Sequence, residues 1–117
     1  MFKKESKIEV SIYYYTNIET IPKEAIYDIV FVGNVSMDMI LKYHKVVYSE
    51  KLESNNIPEY LELLFARFNS DTDNPLNMQQ DKIKQLSTHT SMCVGDVVKI
   101  GDTYYACGIM GFKEICK

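Results

Sequence analysis

The stretch "HTSMCVGDVVKIGDTYYACGIMGF", His89 to Phe112, decides how this chain is read. Within it, "VGDVVKI" and "TYYACGIM" are rich in β-branched and aromatic residues, and Gly101-Asp102 joins them. A two-residue glycine–aspartate link between such runs is a hairpin signal. A C-terminal hairpin is therefore expected over residues 94–115, with Gly108 and Gly111 bending the chain before a short edge strand, "FKEI". Ahead of the hairpin, Ser91 and Asp96 are expected to bond nearby backbone amides and hold a turn at its entrance. His89 or Thr90 then ties down the end of the preceding loop. On this reading the stretch is a structural signature rather than an active site.

Working outward, "KIEVSIYYY" alternates from residue 7 to residue 15. Ile8, Val10, Ile12 and Tyr14 share one face, and Glu9, Ser11, Tyr13 and Tyr15 share the other, as in a half-buried strand. "IYDIVFVGNV" is β-branched and aromatic and reads as a central strand closed by Gly33-Asn34, so strands are expected over residues 7–35. "SMDMILKY" reads as a short helical turn capped by Ser36, and "YHKVVYSEKL" as a further strand. The best helix is "NNIPEYLELLFARFN", with Asn56 as cap and Pro58 in the first turn. Leu61, Leu64, Phe65 and Phe68 recur at helical spacing and form one apolar stripe, with Glu59, Glu62 and Asn69 away from it. Strand and main helix together occupy residues 43–69. Residues 70–88 hold a polar loop, "SDTDNPLN", and a short exposed helix with Asn77 as cap, Gln80 as its capping-box partner, and Ile83 and Leu86 as anchors.

The expected architecture is a single α+β domain. A small, mostly antiparallel β-sheet carries one main amphipathic helix on a face and ends in the C-terminal hairpin. A chain of 117 residues, 46% hydrophobic and 25% charged, suits one soluble globular domain spanning residues 1–117. The net charge of −3, with both signs mixed along the chain, argues against a basic nucleic-acid footprint. Arg67 is the lone arginine, which removes the commonest route to bidentate base readout. The N-terminal lysines precede no apolar run, and no segment approaches the length of a membrane span. Three cysteines without a recognisable spacing read as reduced thiols, so a cytoplasmic protein is expected.

"HTSMCVGDVV" followed by "YYACGIMGFKEI" resembles the YodL-like domains, which carry a "HSLSVSDVV … YYC … GF" pattern. The likeness spans about residues 43–116, with matches at Ser91, Val94, Asp96, Val97, Tyr105, Cys107 and Phe112. The chain departs from that pattern at Cys93 and Gly95, where serine is usual, and in the longer insertion from Ser70 to Thr88. The resemblance implies no catalytic residue. It implies a setting: a cytoplasmic protein of phages, plasmids or integrative elements.

Three chemistries are conceivable for these residues. His89, Cys93 and Asp96 supply the residue types of a cysteine nucleophile with its base and orienter. On an extended segment, however, His89 and Cys93 would lie too far apart for a direct hydrogen bond. His44, His89, Cys93, Cys107 and Cys116 include no short ligand pair, so no metal is expected. The glycines form no phosphate-binding motif, and no cofactor is expected. In the setting that the resemblance implies, the expected role is a non-enzymatic protein-binding module of a mobile genetic element. Its expected partner is a host or phage-encoded protein, with inhibition of a defence nuclease, such as a CRISPR or restriction enzyme, as the role. Tyr13 and Tyr15 on the outer face of the first strand, and Glu59 and Glu62 on the helix, are the candidate contacts. The competing reading is a small enzyme using His89 and Cys93. The motif residues assigned to structure are His89, Ser91, Gly95, Asp96, Tyr105, Cys107 and Phe112.

Overall fold

In a computed structural model of the chain, residues 8–52, 55–79, 83, 87 and 89–116 are described. Strict alternation makes β1 (Glu9–Tyr15) a strand. It lies inside a five-stranded sheet with β2 (His44–Lys51), β3 (Val97–Ile100), β4 (Thr103–Gly108) and β5 (Gly111–Ile115), in the order β2-β1-β3-β4-β5. Every pairing is antiparallel. The domain is thus α+β, as the alternation and the hairpin signal led one to expect. Gly101-Asp102 does link β3 to β4, and β5 folds back from β4 as an edge strand.

One face of the sheet is covered by α3 (Ile57–Arg67). Asn56 caps it by accepting from the Glu59 amide, and Pro58 occupies its first turn. Tyr60, Leu61, Leu64 and Phe68 pack on Val10, Ile12, Tyr14, Val98 and Ile100. Each such fully buried side chain contributes about 1.5–3 kcal/mol relative to exposure. Phe65 does not belong to this stripe: it is 38% exposed and meets Phe112 edge-on, with ring centroids 6.5 Å apart. Tyr60, on the opposite flank of the stripe, joins the core instead. Leu76, Ile83 and Met92 close the end of this core.

The second face overturns one expectation. "IYDIVFVGNV" is not a central strand. The chain forms α1 (Lys23–Ile26), which runs directly into a π-helix over Tyr27–Val32. Pro22 opens the helix, and Gly33, at φ 77°, closes it in the left-handed conformation. Ala25 and Ile29 stand four residues apart, so they share one helical face and both reach the sheet. The β-branched residues serve packing here, not strand pairing. α2 (Met37–Tyr43) follows, capped by Ser36 Oγ accepting from the Met39 amide, and it adds Ile40. With Tyr15, Val97, Ala106 and Ile115 these side chains build a second core cluster. The sheet is therefore sandwiched, and the N-terminal segment 7–35 supplies one strand and a helical layer.

The polar loop is held by a buried side chain. Asn74 Nδ2 donates to the Phe68 and Thr90 carbonyls at 2.9 and 3.0 Å, and Oδ1 accepts from the Leu76 amide. Beyond it, Asn77–Gln79 form a 3-10 turn, and the Asn77 side chain donates to the Asp71 carbonyl. Ile83 is buried and joins the first core. The expected Gln80 and Leu86 roles fall outside the described residues.

Candidate functional site

The segment leading into β3 is not extended. Gly95 and Asp96 both stand opposite Cys107: the Gly95 amide donates to the Cys107 carbonyl, and the Cys107 amide donates to the Asp96 carbonyl, each at 2.8 Å. This is a glycine-led β-bulge, which bends the strand and tightens its twist. Gly95 has φ 98°, and a Cβ there would come within 2.3 Å of the Ile29 carbonyl oxygen. Only glycine lets the π-helix pack this closely. The bend folds "HTSMCVGD" back on itself, and His89, Cys93 and Asp96 converge with ligand-type atoms within 4.8 Å of one another. The expected separation of His89 from Cys93 is thereby corrected; the turn at Gly95 removes it.

Asp96 is the centre of this cluster and is fully buried. Its carboxylate accepts from the Cys93 amide at 2.7 Å and from the Tyr15 amide at 3.2 Å. His89 Nε2 lies 2.9 and 3.0 Å from its two oxygens. Burial pushes the Asp96 carboxyl up to about 6, against the opposing pull of His89 and the two amides. On the other side of the ring, Ser87 Oγ donates to the Tyr15 carbonyl at 2.8 Å and sits 2.9 Å from His89 Nδ1. With its own proton committed, Ser87 must accept, so Nδ1 carries a hydrogen. The imidazole is stacked on Tyr14, with centroids 4.4 Å apart and planes at 10°, and tilted over Tyr15 at 4.3 Å. Tyr14 in turn donates its hydroxyl to the Thr90 carbonyl. His44 adds a second imidazole nearby: its Nε2 bonds the Gly95 carbonyl at 2.7 Å, and burial lowers its pKa.

Ser87, His89 and Asp96 have the residue types of a hydrolytic triad, but their bonds run the wrong way. The Ser87 hydroxyl gives its proton to a backbone carbonyl, and the side chain is buried, so it offers neither a nucleophile nor access. Cys93 fares no better. Burial, and then the Asp96 charge, push its thiol up to about 11, and its Sγ donates to the Ser91 carbonyl. A catalytic cysteine needs the opposite shift. The three converging side chains could also ligate a metal, but an ion would have to displace the His89–Asp96 bond. What the arrangement does chemically is hold together four pieces of chain: the end of β1, Ser87, the 89–93 turn and the start of β3.

The remaining residues singled out in the sequence fall as follows. Ser91 is exposed, and its part in the turn is its carbonyl rather than its hydroxyl. Cys107 is buried beside the bulge, and its thiol is pushed up to about 12 by burial first. Tyr105 and Phe112 pack against the first core. Tyr15 is only 7% exposed, so as a surface contact it is corrected: the helical layer covers the face it was placed on. Tyr13 is half-buried against the Tyr104 ring. Glu59 and Glu62 are exposed on α3. Ser87 and the buried role of His44 carried no signal in the sequence beyond their residue types.

Fold and site together define a small α+β domain whose Ser87–His89–Asp96 cluster is built into the joints of the fold. Over 75 residues, 62% of this chain and 68% of the relative, it is 44% identical to "Uncharacterized protein R785" of Acanthamoeba polyphaga mimivirus. The chain belongs to the same family as that viral protein. No family model matches the chain, and no solved structure matches it significantly. No helix among the described residues is long and apolar enough to cross a membrane.

Proposed function

We propose that this protein is a non-enzymatic binding module that acts by occupying another protein. The observation that carries the reading is the state of the polar cluster: Asp96, Ser87 and His89 are spent on one another and on backbone, and Cys93 is deactivated. The surface supports it from the other side. Tyr27 and Phe31 are 63% and 62% exposed on the outside of the π-helix, and Ile109 and Met110 are 69% and 97% exposed at the β4–β5 turn. Exposed aromatic and methionine side chains suit protein contacts. The viral relative and the resemblance to YodL-like domains fit a mobile-element protein whose partner belongs to the host or the virus. Blocking of a defence nuclease is the role we favour within that setting. Affinity capture from host lysate, followed by titration of the captured activity, tests this: the effect is expected to saturate near molar equivalence. Full effect at sub-stoichiometric protein refutes it.

One observation favours a second reading, a cysteine/histidine enzyme: His89 and Cys93 are neighbours in space. That reading requires the Cys93 thiol to ionise near neutral pH. Its alkylation rate against pH decides the matter, and a mid-point near 7 would sustain the enzyme.

A further inference from the structure

We propose that the outer edge of β5 docks an extended segment of a partner protein and takes a lysine or arginine of that segment into the groove between β5 and the start of α3. The proposal rests on the binding-module reading and names where and how the partner binds.

Among the described residues β5 ends the sheet, so one side of it is unpaired. The backbone groups on that side can be assigned. Cys107 turns its amide and carbonyl toward Gly95 and Asp96, on the β3 side. Bonding directions alternate along a strand, so Ala106 and its partner Lys113 bond each other. Phe112 and Glu114 therefore present their N–H and C=O groups outward. An added strand would bond to these two residues and send alternate side chains to opposite faces of the sheet.

A cavity waits on each face. On the α3 side, one of about 260 Å³ is walled by Pro58, Leu61, Tyr105 and Phe112 and carries Glu62 and Glu114. On the other side, one of about 280 Å³ is bordered by Gly33, Ala106, Lys113 and Ile115. The first has the chemistry for a long cationic side chain. Its apolar wall takes the methylene stem, two aromatic rings stand beside the head group, and two carboxylates receive the charge. Among the described residues neither Glu62 nor Glu114 has an ion-pair partner. A net charge of −3 favours the approach of a basic segment.

The opposite edge is less suited. β2 is bulged at Val47, where the register with β1 shifts, and a bulge blunts an edge. Its Glu50 is already engaged by Arg67, Tyr48 and Tyr60. Nor is a second copy favoured on β5. Symmetric antiparallel pairing about the strand centre would set Lys113 against Lys113, and directly opposed like charges destabilise a pair.

The test pans random twelve-residue peptides against the intact chain and measures the enriched ones by fluorescence anisotropy. Enriched peptides are expected to carry lysine or arginine among β-forming residues, and to shift the amides of Phe112 and Glu114 in NMR spectra. Glu62→Lys with Glu114→Lys is expected to weaken them at least about tenfold. Glu19→Lys, exposed on the turn after β1 and outside the groove, is the control and should leave affinity within about twofold. Absence of enrichment, peptides without basic bias, or equal binding by the double variant overturns the proposal. So does a concentration-dependent dimer that buries β5. Stoichiometric capture of a protein partner by the double variant, at unchanged affinity, would sink this site while leaving the binding-module reading intact.

Discussion

Replacing Asp96 by asparagine changes one atom and should cost this domain a large part of its stability. The carboxylate accepts from two backbone amides, Cys93 and Tyr15, and both its oxygens bond His89 Nε2. An asparagine offers one oxygen and one NH2 group. Whichever way the amide turns, its NH2 faces a backbone N–H, either that of Cys93 or that of Tyr15. A buried donor left without an acceptor costs about 1–3 kcal/mol, and the lost bonds to a charged acceptor are worth about 1.5–3 kcal/mol each. Breaking one partner out of a buried pair costs about 3–5 kcal/mol in comparable cases, so that is the expected loss. With a urea dependence of about 1–3 kcal/mol per molar, the unfolding midpoint should fall by at least about 1 M. The assay is urea unfolding followed by far-ultraviolet circular dichroism at pH 7. A midpoint lowered by less than about 0.3 M would refute the claim that Asp96 joins the end of β1 to the start of β3.

Other expectations follow from the same geometry. Leu64→Ala should destabilise by about 2–5 kcal/mol, whereas Phe65→Ala, at a half-exposed site, should cost under about 1.5 kcal/mol; denaturant midpoints check the contrast. Gly95→Ala should lower the melting temperature far more than Gly101→Ala, because a Cβ at Gly95 strikes the Ile29 backbone and one at Gly101 meets only an Ile8 methyl at 3.4 Å. His44 has a lowered pKa, so the stability it contributes is present above about 6.5 and is lost as pH falls through its folded value. Asp96 has a raised pKa, so ionising it costs the fold stability: that proton-linked part of its contribution is present below the ordinary carboxylate range and is lost as pH rises through about 6, while its bonds to the Cys93 and Tyr15 amides remain. His44→Gln should therefore leave a stability that falls with rising pH between about 4 and 6, read from urea midpoints across that window. Iodoacetamide at pH 8 should label exposed Cys116 well before Cys93, which mass spectrometry of the peptides reports.

Where one face of an element met solvent, the sequence was readable. β1 alternates, Ser36 and Asn56 cap the helices they were assigned to, and Gly101-Asp102 turns the hairpin. The misreading lies where both faces are covered. Tyr15 and the helical segment from Lys23 to Val32 face each other across a second core, so neither shows the polar face that would mark it. "IYDIVFVGNV" holds β-branched residues because they pack on a sheet, and propensity gave way to that tertiary contact. Ala25 and Ile29 at helical spacing, behind Pro22 and ahead of Gly33, were the usable signal. In the polar cluster, Asp96 was legible as a turn-former because its side chain bonds locally to Cys93. Its bond to Tyr15 spans 81 positions, and nothing local encodes it. The proximity of His89 and Cys93 was hidden for a related reason: it depends on the left-handed Gly95, whose conformation is fixed by the helix packed against it.

The most direct measurement of the central claim is a titration of the captured partner's activity with wild-type protein and with Cys93→Ser. Serine keeps a hydroxyl donor for the Ser91 carbonyl and cannot supply a thiolate. If the protein binds and does not catalyse, both forms should act equally and saturate near one molecule per partner. Full effect at a small fraction of that ratio, lost in a folded Cys93→Ser protein, would contradict the account and make His89 and Cys93 an active site.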